Sequence, residues 1–92
     1  MTLKVYLPGL LTSYTQGVNS LELDVDDAGP TLAALLAELD RRYPGIRFRI
    51  VDEQDCIRRQ IRIFVGATQV HELSAALGGS DEIMIVGALS GG

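Results

Sequence analysis

Apolar and polar positions alternate with a period of two in two stretches near the start of the chain. Leu3, Val5 and Leu7 alternate with Lys4 and Tyr6, and Leu21, Leu23 and Val25 alternate with Glu22, Asp24 and Asp26. A period of two sends successive side chains to opposite faces of a strand, so each run predicts a strand with one buried face. Residues 8 to 20 between them hold Pro8, Gly9, Ser13, Gln16, Gly17, Asn19 and Ser20. That connection is too long for a tight hairpin and predicts irregular backbone or a bulge.

The period then changes. After Gly29 and Pro30, Thr31 offers a hydroxyl that can cap a helix. Leu32, Leu35, Leu36, Leu39 and Tyr43 recur at helical spacing, with Glu38, Asp40 and Arg42 on other faces, until Pro44 and Gly45. The leucine stripe predicts core packing. Ile46, Phe48 and Ile50 alternate with Arg47 and Arg49, which reads as a short strand before a polar loop at Asp52, Glu53, Gln54 and Asp55. Ile61, Ile63 and Val65 alternate with Arg62 and Phe64 as far as Gly66 and predict a further strand. Val70, Leu73 and Leu77 fit a short turn or helix, Gly78-Gly79-Ser80-Asp81 a turn, and Ile83-Met84-Ile85-Val86 a compact buried strand. The resulting order, strand, strand, helix, strand, strand, predicts an α+β domain: a mixed sheet with one main helix packed on one face.

Composition confines this to one domain. The chain has 92 residues, of which 29 are Val, Ile, Leu or Phe. That is enough for one modest core and a globular composition. The expected division is a folded domain over residues 1–87 and a flexible C-terminal tail over 88–92. The start lacks the apolar run of a signal peptide, and no segment reaches the ~18 apolar residues that cross a bilayer, so a cytoplasmic protein without a membrane partner is expected.

Candidate chemistry is sparse. Cys56 is the one cysteine and His71 the one histidine, so neither an internal disulfide nor a Cys/His metal set can form. Cys56 borders an acidic loop, which is not the electropositive setting that activates a thiol. His71 has no neighbouring motif that would make it a base, and Gly78-Gly79 lacks the context of a phosphate cradle. An enzyme with a resident metal or cofactor is therefore not expected. Net charge is −4, unevenly spread: residues 41–62 carry seven arginines against three acids, a local +4, and the remainder carries Lys4 against nine acids, or −8. That segment reads as a solvated face or as a patch that docks an acidic partner or polyanion. Nucleic acid is disfavoured as the partner, because Phe48 and Phe64 sit in apolar alternations and the chain as a whole is acidic.

The end of the chain, Ala88-Leu89-Ser90-Gly91-Gly92, carries the most specific chemistry. A carboxylate that attacks the α-phosphate of ATP becomes an acyl-adenylate, which sulfide or a thiol can displace. Two terminal glycines suit that fate, because a backbone without Cβ enters a narrow channel and reaches φ values barred to other residues. The six residues from Gly87 to Gly92 extend about 20 Å at ~3.3 Å each, enough to reach a buried site in a partner.

The order of elements and this ending resemble the ubiquitin-like β-grasp sulfur carriers, the group of MoaD, ThiS and CysO, which serve molybdopterin, thiamine and cysteine biosynthesis. The residues that carry the resemblance are Thr31-Leu32-Ala33-Ala34-Leu35-Leu36 with Leu39, Tyr43-Pro44-Gly45-Ile46-Arg47, Ile61-Arg62-Ile63-Phe64-Val65, and Asp81-Glu82-Ile83-Met84-Ile85-Val86 leading to Gly91-Gly92. The chain departs from the group's pattern at Gly87, where a proline is usual, and this predicts a looser root for the tail. The resemblance implies a sulfur-carrying cosubstrate rather than an enzyme. An E1-like enzyme using ATP would adenylate Gly92, a sulfur donor would convert it to a thiocarboxylate, and an acceptor enzyme would take the sulfur. Gly91 would give clearance in the partner's channel, with Leu89 and Ser90 docked along it and apolar residues of an exposed sheet face completing the contact. Two other classes stay open: a ubiquitin-like modifier joined to lysines through Gly92, and a non-catalytic interaction domain using the Arg41 to Arg62 segment.

Overall fold

A computed structural model describes residues 2–25, 30–78 and 82–87. Five strands, β1 (Thr2–Tyr6), β2 (Ser20–Asp24), β3 (Ile61–Val65), β4 (Thr68–Val70) and β5 (Glu82–Gly87), form one sheet in the order β2-β1-β5-β3-β4. β1 and β5 run parallel at its centre and the other neighbours pair antiparallel. The mixed sheet with a helix on one face is the expected architecture.

The alternation read from the sequence is the division between the two faces. Leu3, Val5, Leu23, Ile61, Ile63, Ile83 and Ile85 point inward and are at most 2% exposed. They meet Leu32, Leu35, Leu36 and Leu39 of helix α1 (Leu32–Arg42), each fully buried. Each such side chain contributes about 1.5–3 kcal/mol on leaving water. Thr31 caps α1 as expected, its hydroxyl oxygen accepting from the Ala34 amide at 3.2 Å.

Two segments differ from the sequence reading, and a third takes a form that it left open. Residues 46–50 form a short helix, α2 (Ile46–Ile50), not a strand. Ile-Arg-Phe-Arg-Ile satisfies both periods, and a distant contact decides between them: the Asp40 carboxylate accepts from the amides of Gly45 (3.0 Å) and Arg47 (3.1 Å). Gly45 turns the chain with φ +99°, a left-handed value suited to glycine. Ile46 and Ile50, one helical turn apart, are then buried while Phe48 is 56% exposed. Thr68–Val70, of which the sequence reading placed only Val70, in a short turn or helix, is the fifth strand; it pairs with β3 across the two-residue turn Gly66-Ala67, with φ +62° at Gly66. Between β1 and β2 the chain makes a 3-10 turn, Gly9–Tyr14, which buries Leu11. Behind it Thr15, 1% exposed, donates its hydroxyl to the Val18 carbonyl at 2.6 Å. The sequence predicted irregular backbone here but not its form. The expected turn at Gly78–Asp81 falls mostly on residues 79–81, and the tail on residues 88–92, outside the described residues.

Candidate functional site

The outward half of the same alternation builds a surface. Strand register sets Ser20, Tyr6, Met84, Phe64 and Gln69 in one row across all five strands. Met84, at the middle of the row and on a strand paired along both sides, is 47% exposed; Tyr6 and Phe64 are half-buried beside it. A thioether and two aromatic rings here have no edge-strand explanation, and an apolar patch rimmed by polar groups is the usual mark of a contact surface. The rim is charged. Lys4 lies in register between Glu22 and Glu82, its ammonium 5.5 Å from the centre of the Tyr6 ring, and toward the far end of β5 Arg62 stands opposite Val86.

This row sits on the strand that leads to the C-terminus. Gly87, the last residue of β5, pairs with Ile61. Its backbone is not in the left-handed region, so its lack of a side chain serves a different need, which is space. A Cβ there would lie 2.3 Å from Leu10 Cδ2, 3.3 Å from Leu10 Cγ and 3.7 Å from Pro8 Cβ. The 3-10 turn thus folds over the end of β5, and Leu10, 41% exposed, caps it. Gly87, where the missing proline led to the expectation of a looser root, is paired on one side and covered on another; the tail that follows lies outside the described residues. Of the residues expected to carry sulfur or enter a partner, Leu89, Ser90, Gly91 and Gly92 lie outside the described residues.

The basic segment is divided by the fold. Arg41 pairs with Glu38 and holds its carboxyl below the ordinary carboxylate value, chiefly through the hydrogen bond between them. Arg47 pairs with Asp55 at 3.0 Å, Arg42 donates to the Glu22 carbonyl at 3.1 Å, and Arg49 to the Tyr14 hydroxyl at 2.7 Å. Arg58, Arg59 and Arg62 instead gather at one cleft, together with His71. Cys56 is exposed, and its amide donates to the Asp52 carboxylate, which bonds to the amides of Cys56 and Gln54 keep below the ordinary range. Among the described residues no group of three or more His, Cys, Asp or Glu side chains is placed to hold a metal, and no helix is long and apolar enough to cross a membrane.

Alternation along each strand identified the outward residues, but the contact row required the strand order and register, which no single strand encodes. Met84 was the available signal, a large flexible side chain between two buried isoleucines.

A five-stranded mixed sheet of this order, with a helix packed across its inner face, defines a ubiquitin-like β-grasp protein. The ThiS family model matches residues 5–92, and the chain belongs to that family, within the group of ubiquitin-like sulfur carriers. The sulfur carrier protein CysO of Mycobacterium tuberculosis is 30% identical over 97 residues, spanning all of both chains. The structure of the Amycolatopsis orientalis BexX/CysO complex contains a chain that superimposes with a TM-score of 0.84 at 28% identity, covering 98% of this chain and 99% of that one. Small archaeal modifier protein 1 of Methanosarcina acetivorans matches with a TM-score of 0.77 at 26% identity, over 99% of this chain and 96% of that one.

Proposed function

We infer that this sulfur carrier works through its C-terminal carboxyl. Gly92 attacks the α-phosphate of ATP on an E1-like enzyme and pyrophosphate leaves. Sulfide from a donor then attacks the acyl carbon and AMP leaves, so that the terminus becomes a thiocarboxylate. An acceptor enzyme removes that sulfur. The partner rests on the Tyr6, Met84, Phe64 row and receives Leu89 and Ser90 in a channel, with Gly91 as the clearance residue. ATP belongs to the activating partner; this chain is a cosubstrate. The observation that carries the reading is the position of the exposed Met84 row on β5, the strand that leads to Gly91-Gly92, in a chain matched to the ThiS family through residue 92. End-to-end similarity to CysO favours cysteine biosynthesis as the recipient.

The test is the intact mass of the protein isolated from its own host, before and after alkylation that consumes a thiocarboxylate. A species heavier by one sulfur-for-oxygen exchange and mapped to the Gly92 peptide is the expected result. A plain carboxylate throughout, even with ATP and sulfide supplied in host extract, overturns the reading.

The likeness to a small archaeal modifier protein supports a second reading, in which the activated Gly92 ends in an isopeptide bond. A ladder of higher-mass conjugates that disappears on deletion of Gly91 and Gly92 is its signature.

A further inference from the structure

The cleft at the start of β3 is independent of the sulfur chemistry. Arg58, Arg59 and Arg62 line an open space of about 340 Å³ with Gln69 and His71, and among the described residues no carboxylate lines it. This is notable in a chain with net charge −4, where acids are plentiful elsewhere. Asp52, outside the lining, accepts from the amides of Gln54 and Cys56 and attracts Arg58 through space.

Two of the three guanidiniums are held in place by uncharged groups. Arg58 lies over the Phe48 ring at 4.6 Å from its centre and donates through Nε to the Phe48 carbonyl at 2.7 Å. Arg62 donates through one Nη to the carbonyls of Arg59 and Ile61. These bonds position the forks without neutralising them, and among the described residues their other N–H groups have no hydrogen-bond partner. The Arg59 guanidinium has no partner among the described residues.

An anion in the space would be attracted by three like charges along its wall. A single carboxylate would offset one. A phosphomonoester carries up to two charges and three terminal oxygens, which match planar guanidinium forks. The space also has an apolar side, formed by Ile57 and Val70, and its volume falls in the ~300–1,000 Å³ range of small-molecule sites. We propose that the cleft binds a phosphomonoester, with the phosphate on Arg58, Arg59 and Arg62 and the organic body against Ile57 and Val70. It opens beside the end of β5, where Ile61 pairs with Gly87 and Arg62 with Val86.

The experiment is an NMR titration of the whole protein at fixed ionic strength, following backbone amides and arginine Nε–H signals. The probes are phenyl phosphate, inorganic phosphate and a hexaglutamate peptide. The expected result is saturable shifts at Arg58, Arg59, Arg62 and Gln69 to His71, with phenyl phosphate binding more tightly than inorganic phosphate. The R59A/R62A variant should weaken phenyl phosphate binding at least tenfold, and Arg41→Ala, whose partner is Glu38, should leave it unchanged. Preserved dispersion in both spectra shows that the variants fold. Shifts that do not saturate, or that persist in R59A/R62A, overturn the proposal. So does tighter binding of hexaglutamate than of phenyl phosphate, which would make the cleft a dock for an acidic protein segment.

Discussion

Replacing Gly87 with alanine tests whether the turn over β5 is the reason glycine stands there. The new Cβ would lie 2.3 Å from Leu10 Cδ2, so that methyl must leave, while the 3.3 Å approach to Cγ needs only a few tenths of an ångström. Leu10 is 41% exposed, so about three-fifths of its surface is covered and at risk when it swings out. Full burial of a leucine is worth about 1.5–3 kcal/mol, which sets the loss at about 1–2 kcal/mol. Alanine in a strand recovers roughly 0.5–1 kcal/mol of backbone entropy relative to glycine. The net expectation is a destabilisation of about 0.5–1 kcal/mol. In a Leu10→Ala background the clash has gone and only the entropy gain remains, so the same substitution becomes stabilising by about 0.5–1 kcal/mol. The coupling between the two sites is then about 1–2 kcal/mol. Urea unfolding of the four proteins measures it through the midpoints, provided the slopes agree. Equal effects of Gly87→Ala in both backgrounds would refute the argument that Leu10 excludes a side chain.

Two further substitutions separate fold from contact surface. Asp40→Ala removes the acceptor shared by the Gly45 and Arg47 amides and should cost about 1–2 kcal/mol in urea unfolding, with faster hydrogen exchange at both amides; Asp40→Asn keeps an acceptor and should lose less. Met84→Lys changes a side chain that is 47% exposed, so stability should move by about 0.5 kcal/mol or less. On the proposed reading its KM in Gly92 adenylation should rise at least tenfold, about 1.4 kcal/mol, with kcat unchanged; an unaltered KM would remove the row from the docking surface.

The parts of this fold that were legible in sequence are those where one period holds and burial agrees with it. Leu3 and Val5, Ile61 and Ile63, Ile83 and Ile85, and the α1 leucines all face the core as their spacing implies. The failures share a cause. Ile46 to Ile50 is five residues long and fits both periods, and the choice is made by Asp40, six residues upstream. Thr68–Val70 is too short to show a period at all, and it is a strand because the turn at Gly66 returns it onto β3. The Gly91-Gly92 ending is a local feature that needs no fold to be read. The Met84 row was not legible, because its members come from five strands and meet only through register.

The placement of β5 also bears on how a carrier can surrender its end to another protein. A partner that draws the segment beyond Gly87 into a channel pulls on the strand it follows. An edge strand would offer one line of hydrogen bonds against that pull. β5 is bonded to β3 from Ile83 to Gly87 and to β1 from Glu82 to Met84, and Ile83 and Ile85 are buried beneath it. Its last residues are held by the β3 ladder and covered by Leu10, and peeling that continued past Ile85 would have to break the β1 ladder as well and expose core. The same central position brings Met84 between Tyr6 and Phe64, on the strand that leads to the end of the chain. One strand thereby anchors the tail and presents the surface that would recognise it.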